Sequence, residues 1–433
     1  MADTPVASSS SLMSWLFFSS KIVGGLFVTL VALLYVNQEK MLYIPNPPGF
    51  PTNPTENPPG FQSPADWSKS GRQLQRDGTD GMDFEEKFVK TKDGVLIHTW
   101  LLLQADSQNA PTLIYFHGNA GNMGFRLKNA ALMFAKANIN VLMMDYRGYG
   151  SSDGYPTEKG LNLDGEAVLK YALTHPRLTN SRMILFGRSL GGAVAISLAH
   201  QYSEWVSGVV VENTFLSVSA MVDVIMPFLS RIKQFVLFME WHSHVKITGL
   251  TMPFLFISGD SDQLVPPRHM RELYELAAKC SFKEFYSVLG GTHNDTFELA
   301  GMEYYHRLRD FIKQLTAKLV DKPVPSLDHS SAPESYHYVP GMDKSQLGSS
   351  SSSSSTSTST TTADSAGTGK SAGFGTGATT STSKLKENEV SVNSDGSVSK
   401  TAKSPGKEVE EQDYEMIDND VSLPTMDKSF KVN

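Results

Sequence analysis

The chain has 433 residues, a formal net charge of −7, 40% hydrophobic residues and one cysteine. A single cysteine, Cys280, excludes an intrachain disulfide and a thiolate metal cluster, and the lack of a basic stripe speaks against nucleic acid as a partner. The length suits one large domain with extra segments around it.

Residues 1–14 form a short N-terminal tail. Residues 15–36 are apolar apart from Ser, Thr, Gly and Lys21. As a helix this run reaches about 33 Å, the thickness of a bilayer core, and Lys21 near one end can snorkel to the interface. A cleaved signal peptide is the alternative. Against it, residues 1–14 contain no Lys or Arg, and Asn37-Gln38-Glu39-Lys40 offers no small-residue cleavage site. Lys21 and Lys40 balance across the span, so charge leaves its orientation open. Residues 37–81 are rich in proline (Pro45, Pro47, Pro48, Pro51, Pro54, Pro58, Pro59, Pro64). That composition predicts an extended linker that holds a domain off the membrane.

From residue 82 to about 318 short apolar runs alternate with helix-length segments. Residues 88–103 read as a hairpin around Asp93-Gly94. Strands are predicted at 112–116, 141–144, 183–186, 209–211 and 254–257, and helices at 122–137, 158–172 and 190–201. Buried strands alternating with crossover helices predict a mainly parallel sheet with helices on both faces. Ligands of such sheets bind beyond the carboxyl ends of the strands. Residues 319–433 are different. Pro323 opens a stretch with an unbroken serine run at 349–355 and much Thr, Gly and Ala, a composition that predicts a disordered tail. Gly369-Lys370-Ser371 has the look of a phosphate loop, but Asp364 stands where the upstream glycine is required.

Three segments match Gly-x-Ser-x-Gly, centred on Ser152, Ser189 and Ser371. A nucleophilic serine of this motif sits on a sharp strand-to-helix turn, where side chains two residues away would clash. Only Ser189, in Gly187-Arg188-Ser189-Leu190-Gly191, follows an apolar strand and precedes a helix. Ser152 lies in a loop before Pro156, and Ser371 lies in the tail. The expected chain order is Ser, acid, His. His293, in the loop Gly290-Gly291-Thr292-His293, is the candidate base, ahead of His200, His242, His244, His269 and His306. Asp262, after the strand at 254–257, is the first candidate acid. Asp260 is nearer that strand's end and suits a turn, and Glu212, ending the previous strand, is the alternative acid. The oxyanion donors are expected to be the backbone amides of Leu190 and of Asn119 in the loop His117–Asn122, with the Asn119 side chain dispensable. His117 reads as a loop-stabilising residue. No metal or cofactor is called for.

These motifs, with Asp145–Gly150, Glu212-Asn213-Thr214-Phe215, residues 261–267, Gly291–Thr296 and the linker opening Leu42-Tyr43-Ile44-Pro45, resemble α/β-hydrolase domain-containing protein 13 and its fungal and plant relatives. The resemblance runs from the anchor to about residue 318. It implies an α/β-hydrolase fold and a single-pass, signal-anchored (type II) membrane protein with a non-cytoplasmic hydrolase domain. It also implies a catalytic set of Ser189, Asp262 and His293. It supplies no physiological substrate, and the long tail departs from the pattern. The expected activity is hydrolysis of an ester or thioester through an acyl-enzyme, on a lipid or acylated substrate. A serine peptidase, or a membrane tether acting through its tail, is the alternative. Residues 214–250, rich in Met and Phe, read as a lid-like insertion over an acyl-chain pocket.

Overall fold

The computed structural model of the protein describes residues 9–69 and 82–338. Its helices are α1 (Ser9–Leu42), α2 (Pro64–Lys69), α3 (Leu127–Ala137), α4 (Glu158–Thr174), α5 (Leu190–Gln201), α6 (Val218–Ile225), α7 (Lys233–Val236), α8 (Ser243–Lys246), α9 (Arg268–Leu276), α10 (Thr296–Ala300) and α11 (Met302–Lys318). Its strands are β1 (Phe84–Lys90), β2 (Leu96–Leu102), β3 (Thr112–Phe116), β4 (Asn140–Met144), β5 (Met183–Arg188), β6 (Gly208–Glu212), β7 (Phe254–Gly259), β8 (Lys283–Val288) and β9 (Ser335–His337). They form one sheet in the order β8-β7-β6-β5-β3-β4-β2-β1-β9. The six strands from β8 to β4 are mutually parallel, and β2, β1 and β9 extend the sheet antiparallel. The strand–helix alternation predicts this mainly parallel sheet, and its topology is that of the α/β-hydrolase fold that the resemblance implies.

The central strands are continuous apolar runs because both faces of the sheet are covered. Ile114, Phe116, Leu185, Val209 and Val211 join the core that includes Val194 and Leu198 of α5 and Leu161 and Val168 of α4. The alternate residues Leu113, Tyr115, Phe186 and Val210 are equally buried and face the other way, toward the layer in which α3 packs on α11. The hairpin turns as expected at Gly94, whose φ of 85° needs no Cβ.

Three boundaries differ from the sequence reading. First, α1 begins at Ser9, inside the expected tail, and runs well past residue 36, through Asn37-Gln38-Glu39-Lys40 to Leu42. Nothing in that polar run breaks a helix, and the chain leaves helical geometry only as it approaches Pro45. Within α1, residues Met13–Leu42 hold a window of mean hydropathy 2.0, none of it buried against the domain. Second, residues 37–69 are not an extended spacer. Tyr43, Phe61 and Trp67 are buried, and Pro54–Glu56 makes a short 3-10 turn. The Asn57 amide exchanges hydrogen bonds with Asn122 at 2.8 and 3.0 Å. The prolines shape turns, and the aromatic residues between them supply the apolar area that docks the segment. Residues 70–81 lie outside the described residues.

Third, the domain does not end at 318. Arg182 donates to the Lys322 carbonyl at 2.6 Å. The chain then returns as β9, pairing Ser335, Tyr336 and His337 with Val89, Phe88 and Lys87 of β1. The Tyr338 ring closes over Phe88 and His98 at 5.8 and 5.2 Å between centroids. A free β1 edge attracts any short alternating segment within reach, and Ser-Tyr-His-Tyr is one. The serine run and Ser371 lie outside the described residues. Removing residues 339–433 is therefore expected to leave the melting temperature unchanged, whereas removal from 323 onward lowers it by about 3–6 °C. Equal melting temperatures for the two truncations, by calorimetry, would show that β9 contributes nothing.

Candidate active site

The chain turns from β5 into α5 at Ser189, whose φ of 53° and ψ of −120° lie outside the ordinary regions. That conformation is strained for a residue with a Cβ and is retained here by three close approaches. A Cβ on Gly187 would run into the Gly191 backbone, one on Gly191 into the Phe116 carbonyl, and one on Gly192 into the Thr214 side chain. Thr214 Oγ1 donates to the Ser189 carbonyl at 2.7 Å, and the Ser189 amide donates to the Glu212 carbonyl at 2.9 Å. The elbow is thus fixed by the end of β6 on one side and by the loop after β3 on the other.

The three residues singled out by motif and chain order meet at this turn. His293 Nε2 lies 3.0 Å from Ser189 Oγ, and His293 Nδ1 lies 2.7 Å from Asp262 Oδ2. The second Asp262 oxygen accepts from the Leu264 and Val265 amides, both at 2.9 Å. Asp262 is therefore buried with both oxygens partnered, held by its own loop and aimed at the imidazole. Asp260, as expected, holds a turn: its Oδ1 accepts from the Gly290 amide at 2.7 Å. Ser152, the decoy, donates to the Asp145 carbonyl at 2.7 Å and accepts from the His98 amide at 2.9 Å. His244 and His269 bond the Leu216 backbone, His242 pairs with Glu240, and His117 is fully buried, bonding the Gly118 carbonyl at 2.7 Å. Burial, reinforced by the Arg126 charge, holds the His117 ring down to about 3, so it is neutral at physiological pH, as a loop-stabilising residue should be.

Glu212, the alternative acid, is engaged by Tyr304 and Arg188. Glu212 Oε2 accepts from Tyr304 Oη at 2.6 Å, and Glu212 Oε1 lies 3.6 Å from Arg188 Nε. Burial pushes this carboxyl up, against the opposing pull of Arg188 and Tyr304. Parallel pairing puts Arg188 directly beside Glu212, so the acid at the end of β6 faces the guanidinium and not the imidazole. The Arg188 Nη2 in turn donates to the His293 carbonyl at 2.5 Å and to Asn294 Oδ1 at 2.7 Å. Arg188 and Glu212 form a buried strut under the histidine loop, a role that sequence reasoning missed. The unspecified second position of Gly-x-Ser-x-Gly being arginine, beside a strand-ending glutamate, was the available signal.

Asn213 was also missed. Its φ of 45° turns the side chain back on the site. There it donates to Thr296 Oγ1 at 2.7 Å and accepts from the Gly259 amide at 2.8 Å, with longer contacts of 3.2 and 3.3 Å to the Thr292 and His293 carbonyls. One side chain thus joins the ends of β6 and β7 to the histidine loop. Asn213→Ala is expected to cost about 2–3 kcal/mol through buried groups left unpaired and to lower kcat more than it raises KM. Denaturation midpoints together with steady-state kinetics check this, and a wild-type kcat in the folded variant would refute the positioning role.

The loop after β3 runs alongside the elbow: a Cβ on Gly118 would sit 3.7 Å from Ser189 Cβ. Its next residue, Asn119, is clamped by the segment leaving α1. Asn119 Nδ2 donates to the Leu42 carbonyl at 3.0 Å. The Asn119 carbonyl accepts from the Ile44 amide and from Tyr149 Oη, each at 3.0 Å. Arg126 steadies the neighbouring Ala120 carbonyl at 2.8 Å. The Asn119 side chain, which the oxyanion role does not require, tethers this loop to the end of α1.

A family profile described as "Serine aminopeptidase, S33" matches residues 107–247, which include the elbow and the loop after β3. Protein bem46 of Schizosaccharomyces pombe is 36% identical over 310 residues, covering 70% of this chain and 96% of its own length. The α/β-hydrolase domain-containing protein WAV2 of Arabidopsis thaliana is 34% identical over 306 residues, 67% of this chain and 92% of its own. An uncharacterized membrane protein of Saccharomyces cerevisiae is 34% identical over 251 residues, 57% of this chain and 86% of its own. With a strand–elbow–helix of this geometry and identity over nearly the full length of two such relatives, the chain belongs to the α/β-hydrolase domain-containing family of bem46 and WAV2.

Proposed function

We propose that the protein is a membrane-anchored serine hydrolase that cleaves an ester or thioester of a lipid or acylated substrate. The observation that carries this reading is the unbroken line from Asp262 through His293 to Ser189, at 2.7 and 3.0 Å. In the first step His293 Nε2 takes the Ser189 proton as Oγ bonds to the carbonyl carbon. The oxyanion rests on the Leu190 and Asn119 amides, and the alcohol or thiol leaves with the proton from His293. Water then gives a proton to His293 and its oxygen to the acyl carbon. The acid departs and Ser189 regains its proton. Asp262 orients the imidazole and stabilises its charged form. α1 crosses the membrane, with residues 1–14 on the cytoplasmic side and the hydrolase domain on the other, in the type II sense that the family resemblance implies.

The test is kcat/KM for p-nitrophenyl esters from two to sixteen carbons, held below their aggregation concentrations. Each added methylene is expected to raise kcat/KM up to about fourfold, the equivalent of about 0.8 kcal/mol, until the acyl pocket is full. A profile that peaks at acetate and falls steadily would rule out an acyl-chain site. The aminopeptidase description of the matched profile favours one second reading. Faster cleavage of an aminoacyl p-nitroanilide than of any ester would establish it.

A further inference from the structure

The end of α1 does more than tether the domain; it docks against the insertion between β6 and β7. Gln38, buried, donates to the Val236 carbonyl at 3.1 Å and accepts from the Phe238 amide at 3.0 Å. Trp241 Nε1 donates to Tyr43 Oη at 3.1 Å. One turn earlier, Tyr35 packs edge-on against Phe238 with ring centroids 5.4 Å apart. Tyr35 lies within the apolar run at 15–36. Phe238 therefore bridges two turns of the helix: its amide meets Gln38 in the polar turn and its ring reaches back to Tyr35 in the last apolar turn.

The insertion buries about what a small helical cap requires: Val222, Leu229, Val236, Met239 and Trp241 are all inside. It leaves out large apolar side chains, among them Ile225, Phe228, Phe235 and Phe238, exposed at 40%, 70%, 77% and 48%. Phe235 and Phe228 are too exposed to be part of a core, and the exposed Arg231 lies between them in sequence. Leu264 and Leu289, exposed at 49% and 85%, follow β7 and β8 and so lie at the same carboxyl edge of the sheet. Val320, exposed at 74%, follows α11 beside Leu319, whose carbonyl is held by Arg182 at the opposite, amino edge. Phe238, Leu264 and Leu289 thus lie on the edge from which α1 departs, with Phe228 and Phe235 on the insertion that meets α1 there.

We infer that this insertion is a second membrane contact, with Phe228, Phe235 and Phe238 seated in the interfacial layer of the leaflet that α1 leaves. The occupant is the lipid bilayer because the register with the span leaves little choice. If residues 15–36 cross the hydrocarbon core, Tyr35 is at its boundary, and the ring touching Tyr35 is at that boundary too. Aromatic rings favour that depth, and Lys40 and Arg231 can keep their charges among the headgroups. The inference rests on the membrane-anchored reading and deepens it: the edge bearing Ser189 faces lipid, so an acyl substrate reaches the site from the bilayer without crossing water.

The experiment uses the full chain in phosphatidylcholine vesicles, with Cys280→Ala to remove the native thiol. A spin label is placed in turn at Phe235→Cys, Phe228→Cys and Val320→Cys, after circular dichroism has shown each variant folded. Relaxation by oxygen, which partitions into lipid, is compared with relaxation by a water-borne nickel chelate. Labels at 235 and 228 are expected to favour oxygen, at a depth of about 5–10 Å below the phosphates, while the label at 320 favours nickel. Labels at 235 and 228 as open to nickel as the one at 320 would overturn the proposal. So would shielding from both reagents that disappears on dilution of protein in lipid, which would mean a second copy covers the patch. Neither readout depends on turnover, so a failure here is separable from a failure of the hydrolase reading. In that case fluorophosphonate labelling of Ser189 would be absent whatever the depth of the labels.

Discussion

Ser189→Ala is expected to abolish fluorophosphonate labelling and to reduce kcat by about 10⁴-fold or more, with the fold intact. The side chain lost is small, and the elbow is held by backbone contacts that alanine keeps: the amide bond to Glu212, the Thr214 bond to the Ser189 carbonyl and the close glycines on either side. What disappears is the oxygen 3.0 Å from His293. Ser152→Ala is the control, since that hydroxyl is engaged with the Asp145 carbonyl and the His98 amide. Labelling that survives Ser189→Ala and is lost in Ser152→Ala would move the nucleophile to the wrong serine and sink the mechanism.

Asp262→Asn is expected to cost about 10³–10⁴-fold in kcat with little change in KM. The asparagine can still accept from the Leu264 and Val265 amides on one side. On the other it presents an N–H to His293 Nδ1, which forces the tautomer that cannot take a proton from Ser189, and it removes the charge that stabilises the imidazolium. Asp260→Asn, whose acid only accepts from a turn amide and a serine hydroxyl, is expected to change kcat less than about threefold, in the range of ordinary surface substitutions. Glu212→Gln is expected to lose stability and loop order, because Tyr304 and Arg188 surround it. Near-normal turnover in Asp262→Asn, measured on the same ester, would assign the acid's role elsewhere.

The parts of this molecule that could be read from sequence are those set by local rules. Strands β3 to β7 are unbroken apolar runs, and α5 starts at the residue that the serine motif requires. Ser189, Asp262 and His293 could be picked as residues that meet because strand ends, loop chemistry and chain order each constrain them separately. What escaped depends on neighbours distant in sequence. Arg188 and Glu212 become a strut only because β5 and β6 are adjacent and in register. Asn213 matters through Gly259 and Thr296, on two other loops. Tyr43, Phe61 and Trp67 were hidden among prolines, whose stiffness suggested a spacer when the aromatic residues between them were docking points. A three-residue strand such as β9 carries too short an alternation to be distinguished from a tail.

The clamp on Asn119 has a practical consequence for anyone who wishes to study the hydrolase in solution. Inspection of the sequence would place the cut at residue 82, where the strand pattern begins, and the product would fold around its large sheet. It would also lack Leu42 and Ile44, whose backbone groups hold the Asn119 side chain and carbonyl, and Gln38, which closes the insertion. Such a protein would give a well-behaved chromatogram and a misleadingly poor catalyst. A cut between residues 36 and 37 discards the apolar run at 15–36 and keeps Gln38, Leu42 and Ile44 with those contacts, so the gap in specific activity between the two preparations would measure how much of the active site is made by residues 37–81.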